Sequence, residues 1–200
     1  MKRIFDILFS ISAILFFLPI GIVLMLLIKF SSKGPIFYKS HRKGKDNRSI
    51  YCWKFRTMYQ DAETKLAALL KQNPHLRKEW NTYYKLKQDP RITVVGKFLR
   101  KTSLDELPQF WNVLKGDLSI VGPRPVTEKE LTKYFGLKAE KILSVRPGLT
   151  GIWQTSGRNL LTFKERVLLE EHYVDKRSIT LDLRIIFKTI PMMFFSKGAF

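Results

Sequence analysis

Cysteine is almost missing from this sequence: Cys52 stands alone, which excludes an internal disulfide framework and any Cys-rich zinc site. Three histidines, His41, His75 and His172, are too scattered for a His-only metal cage. Acidic side chains are scarce, 17 against 36 Lys and Arg. The resulting net charge of +19 points to a polyanionic partner, whether nucleic acid, an anionic membrane face or a phosphorylated substrate. The sequence has no internal repeat or low-complexity tract. It also has no Walker loop and no GxGxxG before a helix, so nucleoside triphosphate and dinucleotide binding lack support. What is plentiful is apolar: 45% of the 200 residues are hydrophobic and 13% aromatic, which excludes disorder and suits one domain with a core plus an appendage.

From Ile7 to Ile28 the only polar side chains are Ser10 and Ser12. A helix of that length would extend about 33 Å, close to the hydrocarbon thickness of a bilayer. Lys29-Phe30-Ser31-Ser32-Lys33 offers no small-residue cleavage pattern, which argues against a signal peptide. Pro19 removes a backbone donor near the middle and predicts a break or kink. Lys2 and Arg3 precede the run, and nine Lys or Arg against the single acid Asp46 follow it between Lys29 and Arg56. Positive charge on both flanks holds both ends on the cytoplasmic side. A re-entrant helix over residues 1–30 satisfies both signals; a straight spanning helix with a tolerated kink is the alternative.

Beyond this segment, Ile36-Phe37-Tyr38 and Ser49 to Thr57 read as a hairpin around Gly44, Asp46 and Asn47. In its second strand Tyr51, Trp53 and Phe55 alternate with Cys52, Lys54 and Arg56, giving one aromatic and one basic face, with Cys52 a small packed hydrophobe. Asp61 to Lys71 and His75 to Leu86 read as a surface helical pair split by Asn73-Pro74. Leu107, Phe110, Trp111 and Leu114 share a helical face stopped by Gly116, and Phe163 to Asp175 forms another helix. Near the C-terminus Leu181, Ile185, Ile186 and Ile190 line an apolar face, expected to cap the core or to lie in a lipid interface. Two Gly- and Pro-rich loops carry arginines: Gly122-Pro123-Arg124-Pro125, and Arg146 to Gly151 running on to Asn159.

Acidic groups in so basic a chain draw attention to Asp105-Glu106, which are flanked by Arg100 and Lys101 and followed by Arg124. Ser103-Leu104-Asp105-Glu106 matches a capping box, a purely structural use of Glu106. Pro108, however, prefers the first helical position, which leaves both carboxylates outside the helix. A carboxylate pair beside arginines suits phosphoryl transfer from a nucleotide diphosphate. One carboxylate attacks phosphorus, a divalent cation offsets the charge repulsion, and arginines clamp the nonbridging oxygens.

The stretch from Lys97 to Pro125, KFLRKTSLDELPQFWNVLKGDLSIVGPRP, resembles the core of the bacterial sugar transferases, the monotopic phosphoglycosyl transferases. The likeness extends through KRIFDI, KGPIFYK, KFRTM at Lys54 to Met58, DPRIT at Asp89 to Thr93, RPGLTG and SGRN. It implies an α/β, mostly helical, monotopic protein: a re-entrant helix at 1–30, then a catalytic domain over 31–200 with a small β-hairpin and interfacial amphipathic helices. This domain would sit on the cytoplasmic face of the bacterial inner membrane. The implied reaction is ping-pong transfer of hexose-1-phosphate from UDP-glucose or UDP-galactose to undecaprenyl phosphate, through a covalent aspartyl phosphosugar and with release of UMP, initiating glycan assembly.

By the same resemblance Asp105 is nucleophile and Mg²⁺ ligand, with Mn²⁺ as substitute, Glu106 is its catalytic partner, and Lys54 is an active-site lysine. Arg100 and Arg124 bind phosphate, and Arg146, Gln154, Arg158 and Asn159 lie near nucleotide and sugar. Membrane phospholipid joins UDP-hexose and undecaprenyl phosphate among the expected partners, nucleic acid does not, and association with a second copy of the chain stays open. The insert from Tyr59 to Gln88, with Trp80, resembles the hexose branch; an N-acetylhexosamine-1-phosphate transferase and a non-catalytic basic membrane scaffold are the alternatives. Two features depart from the pattern. The larger hexose enzymes precede this core with transmembrane helices and a further domain, and Leu18 stands before Pro19 where small members often carry Ser.

Overall fold

The computed structural model describes residues 1–83, 86–157 and 160–194. Helix α1 (Lys2–Ser31) runs through Pro19 as one element, so the expected break does not divide it. A proline removes a single backbone bond, which a long helix tolerates. Among the described residues α1 is the one helix long and apolar enough to cross a membrane. Both of its ends are fastened to the rest of the chain. At the start, Arg3 donates to the Val113 and Leu114 carbonyls at 2.6 and 2.8 Å, Asp6 accepts from the Ser119 hydroxyl and the Ile120 N–H, and Lys2 pairs with Asp182 at 2.6 Å. At the finish, the Arg56 guanidinium donates to the carbonyls of Ile28, Ser32 and Lys33, while Leu24 and Ile28 pack with Phe55 and Leu99. Between these clamps no residue from 14 to 23 is buried, and Leu15, Phe16, Leu18, Ile20, Ile22 and Val23 are exposed.

Strands β1 (Phe37–Lys43) and β2 (Ser49–Phe55) pair antiparallel with Phe37 opposite Phe55, as the hairpin pattern predicts. Their turn places Asp46 and Asn47 at positive φ, a region those side chains tolerate. The alternation in β2 is real: Ile50 and Cys52 face the main core and Tyr51 faces outward. Helices α2 (Ala62–Gln72) and α3 (Pro74–Tyr83) form the expected pair, and α2 buries no residue. Positions 84 and 85 of the expected second helix lie outside the described residues.

Helix α4 (Val94–Thr102) is capped by Thr93, whose hydroxyl accepts from the Gly96 N–H at 2.9 Å. A Cβ at Gly96 would come within 2.0 Å of the Thr57 carbonyl, so glycine lets α4 lie directly on the segment that follows β2. A tight turn then leads to α5 (Gln109–Lys115), which ends at Gly116 with φ of 92° as the sequence predicts.

The two Gly- and Pro-rich loops hold a feature the sequence pattern did not announce. Short strands β3 (Ser119–Val121) and β4 (Gly148–Thr150) pair parallel, and a Cβ at Gly148 would meet the Gly122 nitrogen at 2.1 Å. The chain between them forms α6 (Glu128–Glu130), a π-turn (Leu131–Phe135) and α7 (Lys138–Leu143). After β4 come α8 (Ile152–Thr155), α9 (Phe163–Lys176) and α10 (Ile179–Phe194). A capping box of Thr162 and Glu165 starts α9.

The apolar face of α10 takes the first of its two expected roles and caps the core: Ile185 is buried and Leu181 and Ile186 pack against it, with Ile190 left exposed. The apolar surface left exposed is Ile179, Leu183, Phe187 and Ile190. Apolar side chains fall on more than one face of α10, and the face that packs on the main core is the one carrying Leu181, Ile185 and Ile186.

Candidate active site

Asp105 and Glu106 sit in the turn between α4 and α5, on a single 3-10 turn (Leu104–Glu106). Ser103 before it takes the left-handed conformation at φ 58° and its side chain caps nothing, so the capping-box alternative is not formed. Pro108 is the N-cap of α5 rather than its first helical residue, and both carboxylates stay outside the helix as expected. Freed from capping, they point at one cation. Lys54 Nζ lies 2.6 Å from Glu106 Oε1 and 3.4 Å from Asp105 Oδ2. It reaches them because Lys54 shares the inward face of β2 with Ile50 and Cys52.

Arg124, in the loop after β3, places its guanidinium 3.2 Å from the same Glu106 oxygen and over the Trp153 ring. Arg100 comes from the last turn of α4, where its Nε donates to the Thr57 hydroxyl at 3.0 Å. Burial lowers its pKa, while the charges of Asp105 and Asp89 oppose that shift. Lys54, Arg100, Asp105, Glu106 and Arg124 therefore meet from β2, α4, the 3-10 turn and the β3 loop.

The two carboxylates are not equivalent. Burial raises the pKa of Asp105, and the neighbouring Glu106 charge adds to it against the pull of Lys54. Burial acts on Glu106 in the same sense, but Lys54 and Arg124 together outweigh it and hold that carboxyl well below the usual carboxylate range. Glu106 is thus held as the anion of the pair, while burial and the Glu106 charge raise the proton affinity of Asp105.

The remaining expected residues are placed differently. Arg146 donates from Nε to the Gly116 carbonyl at 2.9 Å, at the far end of α5 from the dyad. Gln154 follows Trp153 on α8 and donates to the Leu149 carbonyl at 3.3 Å. Arg158 and Asn159 lie outside the described residues. Sequence reasoning missed Thr57, Trp153, Glu130, Arg166 and Glu170, which support Arg100 and Arg124 from behind. Arg166 and Glu170 stand four apart on α9, a spacing that reads as an ordinary surface pair.

No group of three or more His, Cys, Asp or Glu is clustered among the described residues. Magnesium does not require one: it is commonly held by one or two carboxylates with water and substrate phosphate completing the shell. Asp105 keeps Oδ1 free of hydrogen-bond partners among the described residues, and the anionic Glu106 lies beside it. That donor set fits an ion arriving with a diphosphate.

The model of the bacterial sugar transferase family matches residues 1–196. The exopolysaccharide production protein ExoY of Sinorhizobium fredii is 48% identical over 199 residues, covering all of this chain and 88% of the relative. The undecaprenyl-phosphate galactose phosphotransferase of Salmonella typhimurium is 42% identical over 200 residues. The UDP-glucose:undecaprenyl-phosphate glucose-1-phosphate transferase of Escherichia coli is 36% identical over 207 residues. Each matches the whole of this chain, which spans 42% and 41% of their respective lengths.

Proposed function

The chain belongs to the bacterial sugar transferase family, and from that premise we propose that it moves hexose-1-phosphate from a UDP-hexose to undecaprenyl phosphate and releases UMP. It is a transferase acting on a sugar phosphate and a lipid carrier in exopolysaccharide assembly, the statement its relatives' names support. The single observation that carries the finer reading is the inequivalent dyad: Lys54 and Arg124 both bond Glu106, whereas Asp105 meets Lys54 at 3.4 Å through Oδ2 and keeps Oδ1 without a hydrogen-bond partner among the described residues.

In the proposed reaction Asp105 attacks the phosphorus that bears the sugar. An Asp105 oxygen–phosphorus bond forms, the bond from that phosphorus to the bridging oxygen breaks, and UMP departs with that oxygen. An oxygen of undecaprenyl phosphate then attacks the same phosphorus, which frees the Asp105 carboxylate and yields the lipid diphosphate sugar. Mg²⁺, when bound at Asp105, would neutralise the diphosphate and offset its repulsion from the carboxylates. Lys54 and Arg124 hold Glu106 and supply donors to the phosphate oxygens, and Arg100, anchored on Thr57, does so from the other side.

The membrane arrangement follows the clamps on α1. Fastening of the first and last turns of α1 to one folded unit supports a re-entrant reading, in which both ends stay on that unit's side of the bilayer and the unburied middle, residues 14–23, meets lipid. The exposed apolar stripe of α10 adds a second interfacial contact. In this reading the dyad faces the cytoplasmic surface of the inner membrane, where a lipid phosphate can reach it, and the basic residues on both flanks of α1 support that side. In a Cys52→Ser background, a Lys2→Cys protein should resist an impermeant thiol reagent in intact cells; labelling would mean a spanning helix.

The deciding experiment gives the purified protein UDP-glucose or UDP-galactose and Mg²⁺ without lipid. Up to one equivalent of UMP and a hexose-phosphate adduct by intact-protein mass spectrometry are expected, and Asp105→Asn should abolish both. Lipid-linked product formed with no UMP or adduct before acceptor is added would overturn the covalent step. Loss of neither product nor UMP in EDTA would remove the metal.

A further inference from the structure

Behind the dyad lies a second set of buried charges that the reaction above does not use. Glu170, on α9, is 1% exposed, and its Oε1 accepts the backbone N–H of Arg124 at 3.0 Å. Arg124 stands between Pro123 and Pro125, so its N–H is the one backbone donor of that three-residue segment. The rest of the loop is pinned through its neighbours: the Gly122 N–H donates to the Thr150 carbonyl, and the Pro123 carbonyl accepts from Gly148. Glu170 therefore takes the single remaining backbone handle on the residue whose side chain neutralises Glu106.

The surroundings of Glu170 fit a support rather than a partner in an ordinary ion pair. Arg166 Nε is 3.9 Å away, beyond hydrogen-bond reach, and its guanidinium lies 4.6 Å over the Trp153 ring on which Arg124 also rests at 5.7 Å. Glu130, itself fixed by the capping box at Thr127, holds the Arg166 NH1 at 3.3 Å. Glu170 Oε2, Arg166 Nε and the Trp153 indole N–H are buried without hydrogen-bond partners among the described residues. Buried polar atoms left unpaired are costly, and such cost is commonly retained where a site must be held in one geometry.

We propose that Glu170 is the positioning residue for Arg124: by accepting the only N–H in Pro123-Arg124-Pro125 it aims the guanidinium at Glu106 and at the substrate phosphate. The inference rests on the proposed transferase reaction. Glu170 itself touches neither the dyad nor the substrate.

The test is a double-mutant cycle of Glu170→Ala and Arg124→Gln, read as single-turnover UMP release from UDP-hexose by the full chain in detergent. Glu170→Ala should slow the wild-type enzyme about tenfold or more, and should alter the Arg124→Gln enzyme less than about twofold, because residues acting through one another are not additive. Equal losses in both backgrounds would mean a general packing role and overturn the proposal. Glu170→Gln keeps an acceptor for the N–H and should be faster than Glu170→Ala by about fivefold or more; equal damage by both would also overturn it. If Glu170→Ala does not fold, Glu170→Asp, which draws the acceptor back by one methylene, replaces it in the cycle with the same two outcomes. A wild-type enzyme that releases no UMP would instead sink the transferase reading, and is thereby distinguished from a failure of this inference.

Discussion

Two buried carboxylates flank Arg124, and burial leaves them in opposite states. Glu106 meets the Arg124 guanidinium and the Lys54 ammonium on one oxygen, and its proton affinity falls well below the usual range. Glu170 accepts the Arg124 backbone N–H on one oxygen and, among the described residues, no hydrogen bond on the other, and burial pushes its carboxyl up to about 7. Both lose solvent, so desolvation alone cannot separate them. What differs is how closely cations replace the lost water: Lys54 and Arg124 bond Glu106 at 2.6 and 3.2 Å, whereas Arg166 stays 3.9 Å from Glu170, and this sorts a firmly held anion at the reaction face from a carboxyl whose proton affinity is raised behind it.

The comparison is broken most severely at Lys54. Lys54→Met leaves both members of the dyad without their shared ammonium, and UMP release should fall about 100-fold or more, as expected when a preorganised donor at a phosphoryl site is lost. An enzyme within threefold of wild type would show that Arg124 suffices alone. Arg124→Lys should cost about tenfold in the same assay, because a point charge cannot hold Glu106 and a phosphate together as a planar fork does.

A stability measurement sharpens the other side. With a folded value of about 7 against an ordinary 4.5, Glu170 is protonated in the folded chain over a range where the unfolded chain has ionised. Its contribution is therefore fully present below about pH 4.5 and is lost as the pH rises through about 7, by up to about 3 kcal/mol. Thermal midpoints measured across that window should fall toward neutral pH, and Glu170→Gln should flatten the slope; an unchanged slope would contradict the raised value. Glu106 acts in the reverse sense, contributing stability at neutral pH that is lost as the pH falls below the ordinary carboxylate range.

The smallest effect belongs to a solvent-exposed charge pair. Lys65 and Asp61 face each other at 3.2 Å at the start of the exposed α2. Lys65→Ala should move the thermal midpoint by no more than about 0.5 kcal/mol allows, close to the noise of the measurement. A large shift would show that the α2–α3 pair is more tightly integrated than its exposed surface indicates.

Much of this was readable in the chain. The apolar run at Ile7–Ile28, the β1–β2 hairpin around Asp46-Asn47, the stop at Gly116 and the helix from Phe163 each follow from local pattern and turn chemistry. Asp105 and Glu106, with Arg100 and Arg124 near them, stand out as acidic groups in a basic chain, Lys54 is singled out only by the family resemblance, and β2, α4, the 3-10 turn and the β3 loop bring the five together. Three things were not readable. Whether the Leu181-Ile185-Ile186 stripe of α10 caps the core or meets lipid stays open in the sequence, because only its neighbours decide what covers a face. The β3–β4 pairing went unseen, since strands of three residues leave no periodicity to detect. Arg146 drew attention for its loop yet bonds the Gly116 carbonyl.

The sequence by itself determined which groups are present and which local geometry each can take: carboxylates kept out of the helix by Pro108, a lysine on the inward phase of β2, an arginine confined between two prolines. Only the tertiary structure decided their charge states and their roles. Proton affinity depends on how many cations stand within a few ångströms and how much water is excluded, and those neighbours come from positions 54, 124, 166 and 170, far apart in the chain. No local pattern encodes such distances, which is why the proton affinities of Glu106 and Glu170, the same residue type, shift in opposite directions.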